Sequence, residues 1–488
     1  MFKIFILLIL LTFQVFGQTK LPNSEYRGIH QIELENHRDY VPEIPNIQTY
    51  SALNKTTQKH LSHEIFGYLP YWRYSSVDEL DYDLLTTISY FSAEVTKTGE
   101  ITNIHQWPPV PLINQAHNKG VCVVLTATLF SSSGISTLLS NPSYRTNCIT
   151  NLLELVVDGN GDGINIDFEG VQKSQRNNLV FFMEELADSF RTNIPDAQIS
   201  MATPAVDWSD AWDYYSLAEI CDLLFIMGYG FHWSGSDEAG PVAPLTGGNY
   251  NVTNSINEYL TQTNHNSQKI VLGVPYYGYL WQTNSNSIGA STVEGSASAK
   301  IFTTAESEAS VYGKLWYRNS QTPWYYYYDD NWFQCWYDDS LSLALKYELA
   351  KSKNLLGVGI WALGYDTGSS KLWGALRDGF YSDTTLSTQK YHAESFSILQ
   401  NYPNPANPGT IFPIQISEFS NNSKVKLSIY DLLGNALFTD DILLNNSEIF
   451  KYYWNGKSNS ESVVPSGVYV FKLSDQNHSA FRKFTILR

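Results

Sequence analysis

Between residues 65 and about 380 the chain alternates short β-branched or aromatic runs with longer stretches of helical or loop character. Eight runs read as strands: "IFGYLPYW", "TTISYFSAEV", "VCVVLTATLF", "GINIDFE", "QISMATPAVDW", "DLLFIMGYG", "KIVLGVPYYGY" and "GVGIWALGYD". Two of the stretches between them, "QRNNLVFFMEELADSFRTN" and "SLSLALKYELAKSKN", repeat apolar residues at helical spacing. Eight strands alternating with helices over about 300 residues predict an α/β fold, a (β/α)8 TIM barrel. An oversized stretch, about 280–337, separates the last two strands and contains "WYYYYDDNWFQCWYDD". It predicts a small α+β insertion before strand 8, on the barrel face where active sites are built.

Both ends of the chain depart from this pattern. Residues 1–17 pair Lys3 with an apolar run and a small residue at the end, the pattern of a secretory signal peptide. Residues 18–60 are polar without clear periodicity and read as an extended arm or linker. The barrel is expected over 61–382 and a Ser/Thr-rich linker over 383–396. Over 397–488, "KVKLSIYDLLGNALF", "IFKYYWNGK", "SGVYVFKLS" and "FRKFTIL" alternate with period two and carry "LGN" and "NGK" turns, which predicts a C-terminal β-sandwich.

One strand candidate has a second reading. Asp158, Asn160, Asp162, Gly163 and Glu169 fit the calcium-loop pattern D-x-[DN]-x-[DN]-G-x5-E. A calcium loop, however, wants an apolar eighth position and a helix on either side. Position eight is Asn165, and Ile164, Ile166 and Phe168 alternate strictly with Asn165, Asp167 and Glu169. That is strand periodicity. The apolar set would face the helices and the polar set the barrel axis, with Glu169 at the C-terminal rim. A polar row inside a barrel is costly unless it has chemistry to perform. No metal and no cofactor is expected.

Composition narrows the partners. A formal charge of −17 argues against nucleic acid and anionic membranes. Aromatic residues make up 14% of the chain, and the flat faces and polar tips of Tyr and Trp suit sugar rings. No run after the N-terminus is apolar for long enough to form an integral membrane span. Four cysteines allow three full pairings, and the chain is no disulfide framework.

"DGINIDFE" resembles the D-G-x-D-x-D-x-E signature of family 18 glycoside hydrolases, the chitinase family. "GYLPYW" is similar to the family's first strand, "MGYG" to its M-x-Y-D on strand six, "VPYYGY" to strand seven and "GVGIWALGYD" to strand eight. The resemblance covers about residues 60–382. It implies hydrolysis of β-1,4-linked N-acetylglucosamine polymers with retention, assisted by the substrate's own acetamide, which sets the family apart from two-carboxylate retaining enzymes. By the same resemblance Glu169 is the general acid, Asp167 orients the acetamide and Tyr229 donates to its oxygen. Trp361 floors the cleaved subsite, Tyr68 and Tyr277 support it, Met227 walls it, and Asn165 lies in the substrate row. Asp162 supports the strand or only turns the chain into it.

Three departures stand out. Asn165 replaces a frequent Asp but can still hydrogen-bond Asp167; Gly230 replaces the Asp of M-x-Y-D; Tyr279 replaces an Arg. Two alternatives stay open: an endo-β-N-acetylglucosaminidase acting on glycoprotein glycans or peptidoglycan, and a non-hydrolytic chitin-binding protein. "LQNYPNPANPGT", "VKLSIYDLLGNAL", "SGVYVFKL" and "RKFTILR" resemble the type IX secretion sorting domain. That implies the type IX machinery as partner and a secreted or cell-surface location. A generic carbohydrate-binding sandwich is the competing reading of this tail.

Overall fold

The computed structural model describes residues 27–47, 49–54, 60–381, 396–398, 401–416, 423–431, 435–444, 449–474 and 479–487. The signal peptide expected over 1–17 lies outside them, as does nearly all of the linker expected over 383–396.

Eight strands form a closed parallel barrel. They are β1 (Glu64–Pro70), β2 (Thr87–Val95), β3 (Cys122–Leu129), β4 (Gly163–Phe168), β5 (Gln198–Pro204), β6 (Leu223–Met227), β7 (Ile270–Pro275) and β8 (Gly357–Trp361). Each pairs with its sequence neighbour, and β1 pairs with β8 to close the ring. Strands buried on both faces need apolar side chains outward as well as a filled interior, hence the runs of Val, Ile and Leu. The expected alternation in β4 is present: Ile164, Ile166 and Phe168 are buried, and Phe168 stacks on Phe182 of the helix Arg176–Asn193 at 5.6 Å. The second expected helix, Ser340–Ser352, starts at a capping box in which Asp339 accepts from the backbone of Ser342.

The strand candidates overshoot at their C-terminal ends. "YW" leaves β1 and opens the 3-10 turn Tyr71–Glu79, and "ALGYD" lies beyond β8. "KIVLGVPYYGY" divides in two: Ile270–Pro275 belongs to the barrel, whereas Tyr277–Thr283 pairs antiparallel with Ser298–Ile301 and Asn331–Trp336. The insertion thus begins at Tyr277. It is a five-stranded antiparallel sheet with the helix Phe302–Tyr312. Periodicity could not locate this break, because both halves are apolar and aromatic.

The N-terminal arm is not wholly extended. Residues Ile29–Asn36 form a helix whose Ile29 and Leu34 are buried in the barrel's core cluster. Further along, Ser51 accepts from His117 through its carbonyl at 2.7 Å.

Asp162 lies just before β4, at the end remote from Glu169. Its Oδ2 accepts from the backbone N–H of Val123 at 2.7 Å and from His117 Nε2 at 2.8 Å. Seven strand steps separate Asp162 from Glu169, about 23 Å. These two carboxylates therefore cannot share one ion, and β4 is a strand rather than a calcium loop. Cys148, Cys221 and Cys335 are buried thiols, each pushed up to about 12 by that burial.

The chain divides into two compact units, Met1–Asp383 and Thr384–Arg488. The second has a three-stranded and a four-stranded antiparallel sheet with their own core, in which Phe412 stacks on Phe471 at 3.9 Å. It is a β-sandwich.

The brace at Asp162 yields a prediction. Burial alone would lower the His117 pKa, but the hydrogen bond and charge of Asp162 and the Ser51 carbonyl raise it above its ordinary value. A raised His pKa stabilises the fold below the unfolded value, and that contribution is lost as pH rises through the folded one. Asp162→Ala should cost about 3 kcal/mol. Urea unfolding should show a larger deficit near pH 5 than near pH 8, whereas a pH-independent deficit would remove His117 from the account.

Candidate active site

The C-terminal rim of the barrel collects side chains from β1, β4, β6 and β8. Asn165 and Asp167 point from β4 into the barrel and are fully buried. Asn165 lies opposite Ser200 of β5 in the strand register. Its amide donates to the Tyr68 hydroxyl at 2.9 Å and accepts from Ser200 Oγ at 3.0 Å. The expected bond from Asn165 to Asp167 is absent; the amide turns to β1 and β5 instead. Ser200 was not anticipated; only the paired register reveals it.

Glu169 follows β4, with its side chain 12% exposed. Asp167 Oδ1 and Glu169 Oε1 are buried oxygens without a hydrogen-bond partner among the described residues. Burial, reinforced by the charge of Asp167, pushes the Glu169 pKa well above the usual carboxylate range. Two neighbouring carboxyl groups in a dry site cannot both ionise easily. Burial likewise raises the pKa of Tyr68 and Tyr229, so both remain hydroxyl donors.

Trp361 ends β8, fully buried, with Tyr68 edge-on at 5.4 Å. Tyr277 is buried and presents its ring edge-on to Tyr229 at 6.0 Å. Met227 is half-buried at the end of β6, and its carbonyl accepts from the Tyr229 N–H. Gly230 has φ +74°, a left-handed conformation that favours glycine and opposes the Asp of the family pattern. Tyr279 is buried between Tyr277 and Trp281. Of the expected residues, only Asp162 lies away from this rim.

One central residue escaped the sequence reading. His30, from the arm helix, lies at the middle of the site and is fully buried. Its Nδ1 is 2.7 Å from Asp167 Oδ2, and its Nε2 is 2.8 Å from the Tyr229 hydroxyl. Its ring stacks on Trp361 with centroids 3.7 Å apart. A histidine in a polar segment without periodicity carries no signal of such a role. Among the described residues, His30, Asp167 and Glu169 form the one group with ligand atoms close enough to hold a metal, within 4.8 Å of one another. Within it His30 Nδ1 bonds Asp167 and lies 3.6 Å from Glu169 Oε1.

Two carboxyl groups thus meet at the rim of a closed barrel, beside a tryptophan that ends β8. The model for glycosyl hydrolases family 18 matches residues 64–366.

The chain belongs to glycosyl hydrolase family 18.

A second model, the secretion system C-terminal sorting domain, matches residues 400–487 of this hydrolase. Among curated relatives, the putative sporulation-specific glycosylase YdhD of Bacillus subtilis is 29% identical over 68% of this chain and 80% of its own length. Human di-N-acetylchitobiase is 29% identical over 51% of this chain and 69% of its own. The family 18 chitinase of Cycas revoluta shares the fold, with TM-score 0.58 and 22% identity over 65% of this chain and 99% of the other.

The raised proton affinity of Glu169 is open to direct titration. With carbon-13-labelled carboxyl groups, Glu169 should keep its proton above the ordinary carboxylate range. Asp167→Asn removes a like charge, so the Glu169 titration should move to lower pH while burial keeps it above the ordinary value. An unmoved titration would show that Asp167 is not a cause.

Proposed function

We propose that this family 18 hydrolase cleaves β-1,4-linked N-acetylglucosamine chains, of the chitin or chitooligosaccharide class, with retention and with help from the substrate's acetamide. The observation that carries this reading is the pair Asp167 and Glu169 beside Tyr229 and Trp361, with the Glu169 proton held by burial. The name of the 29%-identical relative, di-N-acetylchitobiase, supports the sugar class.

In this reading a sugar ring lies on Trp361. Its acetamide N–H donates to Asp167, and its acetamide oxygen accepts from the Tyr229 hydroxyl. That oxygen attacks the anomeric carbon while the glycosidic C–O bond breaks, and the Glu169 proton passes to the leaving oxygen. The product is an oxazolinium ion, whose positive charge the Asp167 carboxylate stabilises. Glu169, now a carboxylate, takes a proton from water. The water oxygen bonds to the anomeric carbon, and the oxazolinium ring opens to regenerate the acetamide. Both substitutions invert, so the configuration is retained.

A second reading, glycoprotein glycans or peptidoglycan as substrate, draws support from the relative named cortical fragment-lytic enzyme of Bacillus subtilis, 25% identical over 57% of this chain. Product analysis on chitin oligomers, peptidoglycan and a high-mannose glycoprotein separates the two. Protein cut back to Thr49, which removes His30 from the site, is the form to use. Chitin oligomers should be cleaved, and Glu169→Gln should lower turnover about 10²–10⁴-fold while oligomer binding persists. Near-normal turnover of Glu169→Gln would overturn the mechanism.

The sorting domain supports export to the outside or the cell surface through the type IX system. No described helix is long and apolar enough to cross a membrane. Removal of residues 397–488 should strand the hydrolase in the periplasm of its native host, by cell fractionation, and should leave activity unchanged when the forms with and without the tail, both starting at Thr49, are made in a foreign cytosol. Continued export of the truncated form would exclude the sorting role.

A further inference from the structure

We propose that the arm segment 28–37 is a built-in inhibitor, whose His30 occupies the sugar subsite as a mimic of the substrate's acetamide, so that hydrolysis requires the arm to withdraw or be cut away. The inference rests on the substrate roles given above to Asp167, Tyr229 and Trp361.

The mimicry is chemical. An acetamide is planar and presents one N–H donor and one acceptor. A neutral imidazole with its proton on Nδ1 presents the same pair. The ring nitrogens lie where this needs them: Nδ1 is 2.7 Å from Asp167, so in that tautomer it donates where the acetamide N–H would, and Nε2 is 2.8 Å from the Tyr229 hydroxyl, so it accepts where the acetamide oxygen would. The ring stacks on Trp361 at 3.7 Å and 28°, the place of the sugar. Substrate and His30 cannot both be there.

The backbone contributes as well. The helix begins at Ile29, so its N-terminal end, with its partial positive charge, lies beside the Glu169 carboxylate. Gly28 runs so close to Glu169 that any β-carbon there would collide with the carboxylate. Glycine at this position lets the chain shield Glu169 as well as fill the subsite.

The remainder of the segment is anchored along the rim. Glu33 accepts from the Tyr365 hydroxyl at 2.9 Å, and Trp72 Nε1 donates to that same hydroxyl at 3.3 Å. His37 stacks on Trp72 at 4.6 Å, and its carbonyl accepts from the Tyr71 hydroxyl at 2.6 Å. Residues 38–41 then run exposed, so a protease can reach them. A cut there converts a tethered plug into a peptide that can diffuse away.

Tethering makes the block strong even at modest intrinsic affinity. A short linker gives an effective concentration of about 1 mM. A plug whose separate peptide binds with a Kd of about 10 µM would leave the site open about 1% of the time.

The test compares three proteins on a defined N-acetylglucosamine oligomer: the chain from residue 18, the chain from Thr49, and His30→Glu, which sets a carboxylate against Asp167 and Glu169. The second and third should exceed the first in kcat/KM by about tenfold or more. A synthetic peptide of residues 27–40 should bind the form starting at Thr49 by calorimetry and inhibit it competitively. The same peptide with His30→Ala should bind at least about tenfold more weakly. Equal kcat/KM in all three proteins, or no peptide binding at about 1 mM, would overturn the proposal. His30-dependent peptide binding with no hydrolysis by any form would support the plug and strike only the substrate reading.

Discussion

Asp167 is a carboxylate with no exposed surface, at the centre of a closed barrel. Taking a charge out of water is expensive unless a donor meets it, and this constraint organises the site. The neighbouring inward position, Asn165, bonds Tyr68 and Ser200 instead. Glu169 shares the difficulty, and its raised proton affinity is the response. The donor that Asp167 finds comes from outside the barrel, from His30. Asp167, the acetamide partner in the mechanism proposed above, here grips an N–H group of its own chain.

The alternation of Ile164, Ile166 and Phe168 with Asn165, Asp167 and Glu169 made β4 readable, because a strand buried on one side and chemical on the other leaves a period-two trace. The helices 176–193 and 340–352 were legible for the same reason at helical spacing. Boundaries were less so. The split between β7 and the insertion falls inside a uniformly aromatic run, where both halves are buried for different reasons. Residues from β1, β4, β6 and β8 could be assigned to one rim because barrel topology brings strand ends together.

His30 stayed invisible because nothing local marks it. The helix Ile29–Asn36 is only eight residues long, and such a helix is marginal by itself in water. It persists because Ile29, His30 and Leu34 find a surface contributed by distant strands. Asn165 and Ser200 illustrate the same limit from within the barrel: their pairing depends on strand register. Gly230 is different, since its positive φ gives the loop after β6 a backbone reason for lacking the Asp of the family pattern.

The contacts of the arm span the chain. His30 bonds residues 137 and 199 positions later, and Glu33 one 332 positions later. Contacts so distant in sequence must offset loop-closure entropy before they contribute, and so are slow to form. His30 cannot stack on Trp361 until β8 has closed the ring. A chain still emerging from the ribosome, or one threaded unfolded across a membrane, therefore carries its arm loose, and the arm engages only a finished barrel.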